Sequence, residues 1–114
     1  MITPTIGRIV LYCLSKEDAE MINRRRTDGQ SIVARILEGV WPVGAQAHIG
    51  NVVTEGDIFP AVVVRVWNTD LINIRVMLDG TDDYWATSRH VSEDAVPGCF
   101  HWMPYQKAQA DKQA

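Results

Sequence analysis

The chain has 114 residues, 46% of them apolar, with 11 basic and 14 acidic side chains and a formal charge of −3. That length holds one domain with one modest core, and the apolar share is too high for a disordered chain. The acidic balance speaks against a nucleic-acid polymer or an anionic membrane as partner, since both attract a basic excess.

Two cysteines, Cys13 and Cys99, do not make a disulfide framework. No charged-then-apolar signal segment opens the chain, and no apolar run approaches the ~20 residues needed to span a bilayer. The expectation is a soluble cytosolic protein with reduced thiols.

Residues 8–14, RIVLYCL, are apolar and rich in β-formers and read as a first strand. A short helix is predicted next. Ser15 is its N-cap, with Asp18 completing a capping box. Glu17, Asp18 and Glu20 lie early and Arg24, Arg25 and Arg26 late, matching the helix dipole, and Gly29 is its stop. A second helix is predicted from the cap Ser31 to Gly39, with Ile32, Val33, Ile36 and Leu37 as its apolar stripe. From Val40 to Ile58 the composition turns to Pro, Gly and small residues, which marks a long connection and a candidate functional loop.

Residues 60–78, PAVVVRVWNTDLINIRVML, read as a β-hairpin turning at Asn68–Asp70. Asp79 to Asp83 form an acidic, solvated turn before a strand at YWATSRHV, and CFHWM is a last short strand. The tail from 106 on is polar and reads as frayed and disordered. The sum is a single α+β domain over residues 1–105, with a mostly antiparallel sheet or partial barrel and two helices inserted after the first strand.

Motifs for catalysis are missing from the text. There is no GxSxG, no phosphate-cradling Gly-rich loop before a helix and no HExxH. His90, Cys99 and His101 lack the paired spacing of a structural zinc site, so no metal and no cofactor are expected. Cys99 and His101 share a strand face without a third orienting group, which is no nucleophile signature. The chain does not read as an enzyme. The Arg24–Arg26 run is either a solvated helix end or a phosphate-facing cluster.

The hairpin carries an oddity. Val62, Val64 and Val66 alternate on one face, while Ala61, Val63, Arg65 and Trp67 share the other, so an arginine stands among valines. On the next strand Leu71, Asn73, Arg75 and Met77 face away from Ile72, Ile74, Val76 and Leu78. A wet outer sheet face explains two arginines without function. A face holding Arg, Trp, Asn and Met together also suits a subunit interface or a nucleotide, whose base stacks on a ring while guanidinium groups meet phosphate.

The stretches TPTIGRIVLYCLS, INRRRTDGQSI, WPVGAQAHIGN, GDIFPAVVVRVW, VMLDG, WATS and PGCFHW together resemble the landmarks of the type-one Thoeris anti-defence family of small phage proteins, over Thr3 to about Met103. That resemblance implies a sponge for cyclic nucleotide immune signals: cyclic ADP-ribose isomers, with cyclic di- or trinucleotides in some members. Such a protein binds the signal without cleaving it, in the cytoplasm of the infected bacterial host. It implies a homo-oligomer, from dimer to hexamer, with pockets at subunit interfaces. The candidate ligand-binding set is Arg65, Trp67, Arg75, Met77, Trp85, Thr87, Ser88, Arg89, His48 and Arg24, with Thr87 and Ser88 for ribose hydroxyls and His48 for a second polar site. In the family pattern an aromatic stands at Met77, and an asparagine follows the next glycine where this chain has Thr81 and Asp82; a carboxylate there would repel phosphate. The competing readings are a structural or adaptor protein of phage origin, and a single-strand nucleic-acid binder, which the acidic charge disfavours.

Overall fold

The computed structural model describes residues 2–37 and 49–113, with side chains placed at 2–26 and 49–112. In chain order the elements are β1 (Ile9–Cys13), α1 (Lys16–Leu37), β2 (Ile58–Asn68), β3 (Leu71–Met77), β4 (Asp83–His90), β5 (Phe100–His101) and α2 (Pro104–Gln113). The strands form one antiparallel sheet in the order β4-β3-β2-β1-β5, which curls into a half-barrel. The α+β class and the helical insertion after the first strand are as expected from sequence.

Alternation builds the core. Val10, Tyr12 and Leu14 from the β1 region, Ala61 and Val63 from β2, and Ile72, Ile74 and Val76 from β3 point inward and are fully buried or nearly so. Ala19 and Ile22 of α1 close over them, joined by Phe100 and Trp102. Each fully buried Ile, Leu or Phe contributes roughly 1.5–3 kcal/mol, so this one cluster carries most of the stabilisation.

The capping box forms as written in the sequence: the Asp18 amide donates to Ser15 Oγ at 3.1 Å, and the Ser15 amide donates to Asp18 Oδ2 at 3.0 Å. The expected break at Gly29 does not occur. One continuous helix, α1, replaces the two short ones. A helix-interior glycine costs about 1 kcal/mol against alanine, which a helix of this length absorbs. The apolar stripe from Ile32 to Leu37 lies outside the described side chains.

The tail expected to be disordered is α2 through Gln113. Pro104 at its first position loses no hydrogen bond there. Gln106 accepts from the Met103 amide at 2.8 Å and donates to Ile9 O at 3.0 Å, capping the helix and tying it to β1. The signal was present as Pro at a helix start with Gln two places on. No described helix is long and apolar enough to cross a membrane.

Candidate functional site

The arginine among valines is resolved by a β-bulge. Val63 pairs with Ile74, but Arg65 pairs with Asn73, so β2 spends two residues where β3 spends one. Before the bulge Ala61 and Val63 point inward; after it Val66 does. Arg65 is thereby turned to the outer face, and Trp67 stands there at a further register shift of β2, between Val66 and Asn68. A bulge on β4 does the converse, where Ala86 pairs with Ile74 and Arg89 with Ile72, with Thr87 and Ser88 between them. Ser88 takes φ 54°, a left-handed backbone that a non-glycine residue seldom adopts. Arg89 consequently points inward.

Asn73 lies opposite the Arg65 bulge on β2 and the bulge on β4. Its Oδ1 accepts from Trp67 Nε1 at 3.0 Å and from the Ser88 amide at 2.7 Å, so one side chain pins the indole and the β4 bulge together. The Arg65 guanidinium then stacks over the Trp67 ring, 4.1 Å from its centroid. Cross-strand pairing sets Val62, Arg75 and Trp85 in a row across β2, β3 and β4, with Met77 beside Asp83 in the next row. Trp67 is 50% and Trp85 58% exposed, high values for indoles, so two rings stand on this face largely uncovered. Arg75 meets Asp83 at 3.2 Å with both half exposed.

Of the expected ligand-binding residues, the fold gathers Arg65, Trp67, Arg75, Met77 and Trp85 on this face, and leaves Thr87 and Ser88 exposed at its bulged edge. Arg89 is not among them. Its Nη2 lies 3.0 Å from Asp18 Oδ1, and its guanidinium sits 5.6 Å from the Tyr12 ring centroid on the inner side. Arg24 is exposed on α1, which packs against the inner side, so it does not join the face either. His48 lies outside the described residues.

Asp18 is the centre of a buried polar network that the sequence signalled only as a helix cap. It is 1% exposed and accepts from the Tyr12 hydroxyl, from the Tyr84 hydroxyl at 2.9 Å and from Arg89. Burial alone would raise its pKa. The hydrogen bonds from Tyr12, the Ser15 amide and Tyr84, with the nearby guanidinium, outweigh that and hold it below the usual carboxylate value. Both phenols are pushed up, first by burial and then by the same carboxylate.

The arginine run and the acidic turn form a second internal knot. Arg25 Nη2 lies 2.7 Å from Asp82 Oδ2, and Arg26 Nη2 lies 3.1 Å from Oδ1. Arg26 also donates to the Asn51 carbonyl. Asp82 is therefore no solvated turn residue, and the run is no solvated helix end: its second and third arginines clamp the turn to the middle of α1. Gly80 fits beneath them because a Cβ there would sit 2.5 Å from Ile49 O and 2.8 Å from the Gly50 Cα. The carboxylate expected to repel phosphate is neutralised inside the protein.

A cleft of about 290 Å³ lies elsewhere, lined by Ile2, Val91 and Trp102 with Asp70, Glu93 and Lys107 at its polar side, and shares no residue with the outer face. Among the described residues no group of three or more His, Cys, Asp or Glu is placed to hold a metal ion. What fold and site define is an α+β half-barrel with an aromatic and cationic sheet face. Comparison with family models, curated proteins and solved structures found no match to this chain.

Proposed function

We propose that the protein is a non-catalytic sponge that binds cyclic nucleotide signals, cyclic ADP-ribose isomers or cyclic di- and trinucleotides, on the outer face of β2, β3 and β4 and withholds them unaltered, as the resemblance to anti-defence proteins implies. The observation that carries this reading is the Arg65 guanidinium held on the Trp67 ring, beside Arg75, Met77 and Trp85 on one exposed surface. Indoles accept a purine by stacking, and guanidinium forks take phosphate oxygens.

Magnitudes favour the exchange that binding requires. An exposed pair such as Arg75–Asp83 contributes about 0–1 kcal/mol. A charge-assisted bond from the same guanidinium to phosphate contributes about 1.5–3 kcal/mol, so the ligand displaces Asp83 at little cost. Stacking adds about 1–3 kcal/mol per base. Micromolar capture needs about −8 kcal/mol after the 4–15 kcal/mol lost on association, more than one open face supplies. A second protomer covering the ligand provides the remainder, and the proposal therefore includes a homo-oligomer.

The adaptor reading has one observation in its favour: Val64, Trp67, Met77 and Trp85 are exposed together, an apolar patch that also fits a protein partner. A thermal-shift screen separates the two. A panel of cyclic ADP-ribose isomers and cyclic di- and trinucleotides is mixed with purified protein. One member at ~100 times its dissociation constant is expected to stabilise the fold by about 2.7 kcal/mol and to be recovered intact after heating. No shift with any member favours the adaptor, and a cleaved product identifies an enzyme.

A further inference from the structure

We infer that Cys13 and Cys99 form a reversible cross-strand dithiol couple, a modification site for thiol oxidants that staples β5 to β1. The two residues are 86 positions apart in sequence. Pairing of Leu11 with His101 and Tyr12 with Phe100 brings position 99 opposite position 13 in the antiparallel register.

The backbone around them fixes that apposition. Residues 96–99 make a tight turn, with the Cys99 amide bonded to Val96 O at 3.0 Å. Pro97 occupies the position that favours its fixed φ, and Gly98 takes φ 86° at the position of a type II turn that demands it. The Gly98 amide donates to Cys13 O at 2.9 Å, and the Cys13 amide donates to Cys99 O at 3.2 Å. That pair of bonds is the pattern of a bulge with glycine in first position, which sets Cys99 directly across from Cys13. Directly opposed residues of an antiparallel pair have Cα atoms about 4.5–5.5 Å apart, inside the range of about 4.4–6.8 Å that a disulfide spans. Both cysteines are free in this structure.

Their environments differ in a way that orders the chemistry. Cys13 is 2% exposed, and burial, then the neighbouring Cys99, raise its thiol pKa. Cys99 is half-buried and is the sulfur an oxidant reaches first. With glutathione disulfide as oxidant, the Cys99 thiolate attacks one oxidant sulfur and releases one glutathione thiolate. Cys13, losing its proton to solvent, then attacks Cys99 Sγ and releases the second. Two protein thiols are oxidised to one disulfide, and one glutathione disulfide is reduced to two thiols.

The test uses the intact chain in native buffer. It is incubated with excess glutathione disulfide, alkylated, and analysed by mass spectrometry and by thermal melting. The expected product is a monomeric chain lighter by two hydrogens, resistant to alkylation at both cysteines, with a Cys13–Cys99 cross-linked peptide and a melting point raised by roughly 10 °C. Dithiothreitol is expected to reverse both changes. The Cys13→Ser variant is expected to stop at the glutathione adduct on Cys99. Two free thiols, a persistent glutathione adduct on the unsubstituted chain, or a disulfide joining two chains would each overturn the couple. Such a failure leaves the ligand-binding proposal untouched, because neither cysteine lies on β2, β3 or β4.

Discussion

On the inner side of the sheet Arg89 reaches a carboxylate that is 1% exposed and shares it with two phenols. On the outer side Arg75 meets Asp83 at 3.2 Å with both groups half in water, and Arg65 lies on an indole. The residue types are the same, and their energetic standing is opposite. An inner arginine is committed, because removing its partner strands a charge away from solvent. An outer arginine can be taken by a ligand at almost no loss. Ordinary alternation on β3 turns Arg75 outward, while bulges on β2 and β4, both facing Asn73, put Arg65 outside and Arg89 inside.

Breaking the inner network should have the largest effect. Asp18→Asn leaves the Arg89 charge unbalanced beside Tyr12 and Tyr84, and is expected to destabilise the fold by about 3–5 kcal/mol in urea unfolding. Asp82→Ala, which among the described residues leaves Arg26 with its 4% exposure only the Asn51 carbonyl to donate to and Arg25 only the Asp83 carbonyl, is expected to cost about 2–4 kcal/mol by the same assay. If either variant unfolds at the midpoint of the unsubstituted chain, the inner arginines are not structural.

The pH dependence follows from the same burial. His101 has a folded-state pKa pushed below its ordinary 6.5 by burial, then by the Lys107 charge, with Asp94 opposing. The unfolded chain therefore takes the proton first, and stability is lost as pH falls from 6.5 through the folded value. Asp18, held below its ordinary 3.8, contributes stability that persists above that value and disappears as pH falls through the lower folded one. Melting points recorded from pH 7.5 to pH 3 should decline in two stages, and His101→Phe should remove the upper one.

The smallest stability effects belong to the outer face. Trp67→Ala forfeits one cation–π contact and one hydrogen bond, about 1–2 kcal/mol together, and Trp85→Ala should move the midpoint less.

Much of the frame was legible in the text. Apolar β-forming runs set between turns, with alternation in the β2–β3 hairpin, located the strands, and Ser15 with Asp18 marked the start of α1, because these signals are local. The bulges were only half legible. Arg65 among valines announced a change of face on β2 without saying where it fell. YWATSRHV carries no glycine at Ser88, so the inward turn of Arg89 left no trace. The Asp82 clamp was hidden for a different reason: its partners lie 56 and 57 positions away, and a turn rich in aspartate reads as solvated unless the helix that covers it is known. The outer face was legible in composition, while its pinning by Asn73 was not.

The proposed binding role of the outer face is tested most directly with the Arg65→Ala/Trp67→Ala double variant, titrated by calorimetry against whichever cyclic nucleotide the unsubstituted protein retains. Loss of about 3 kcal/mol of binding, a factor of more than 100 in affinity, with a melting point lowered by no more than roughly 10 °C is the expected result. Unchanged affinity, or retention of no member of the panel by the parent, would contradict a binding role for this surface.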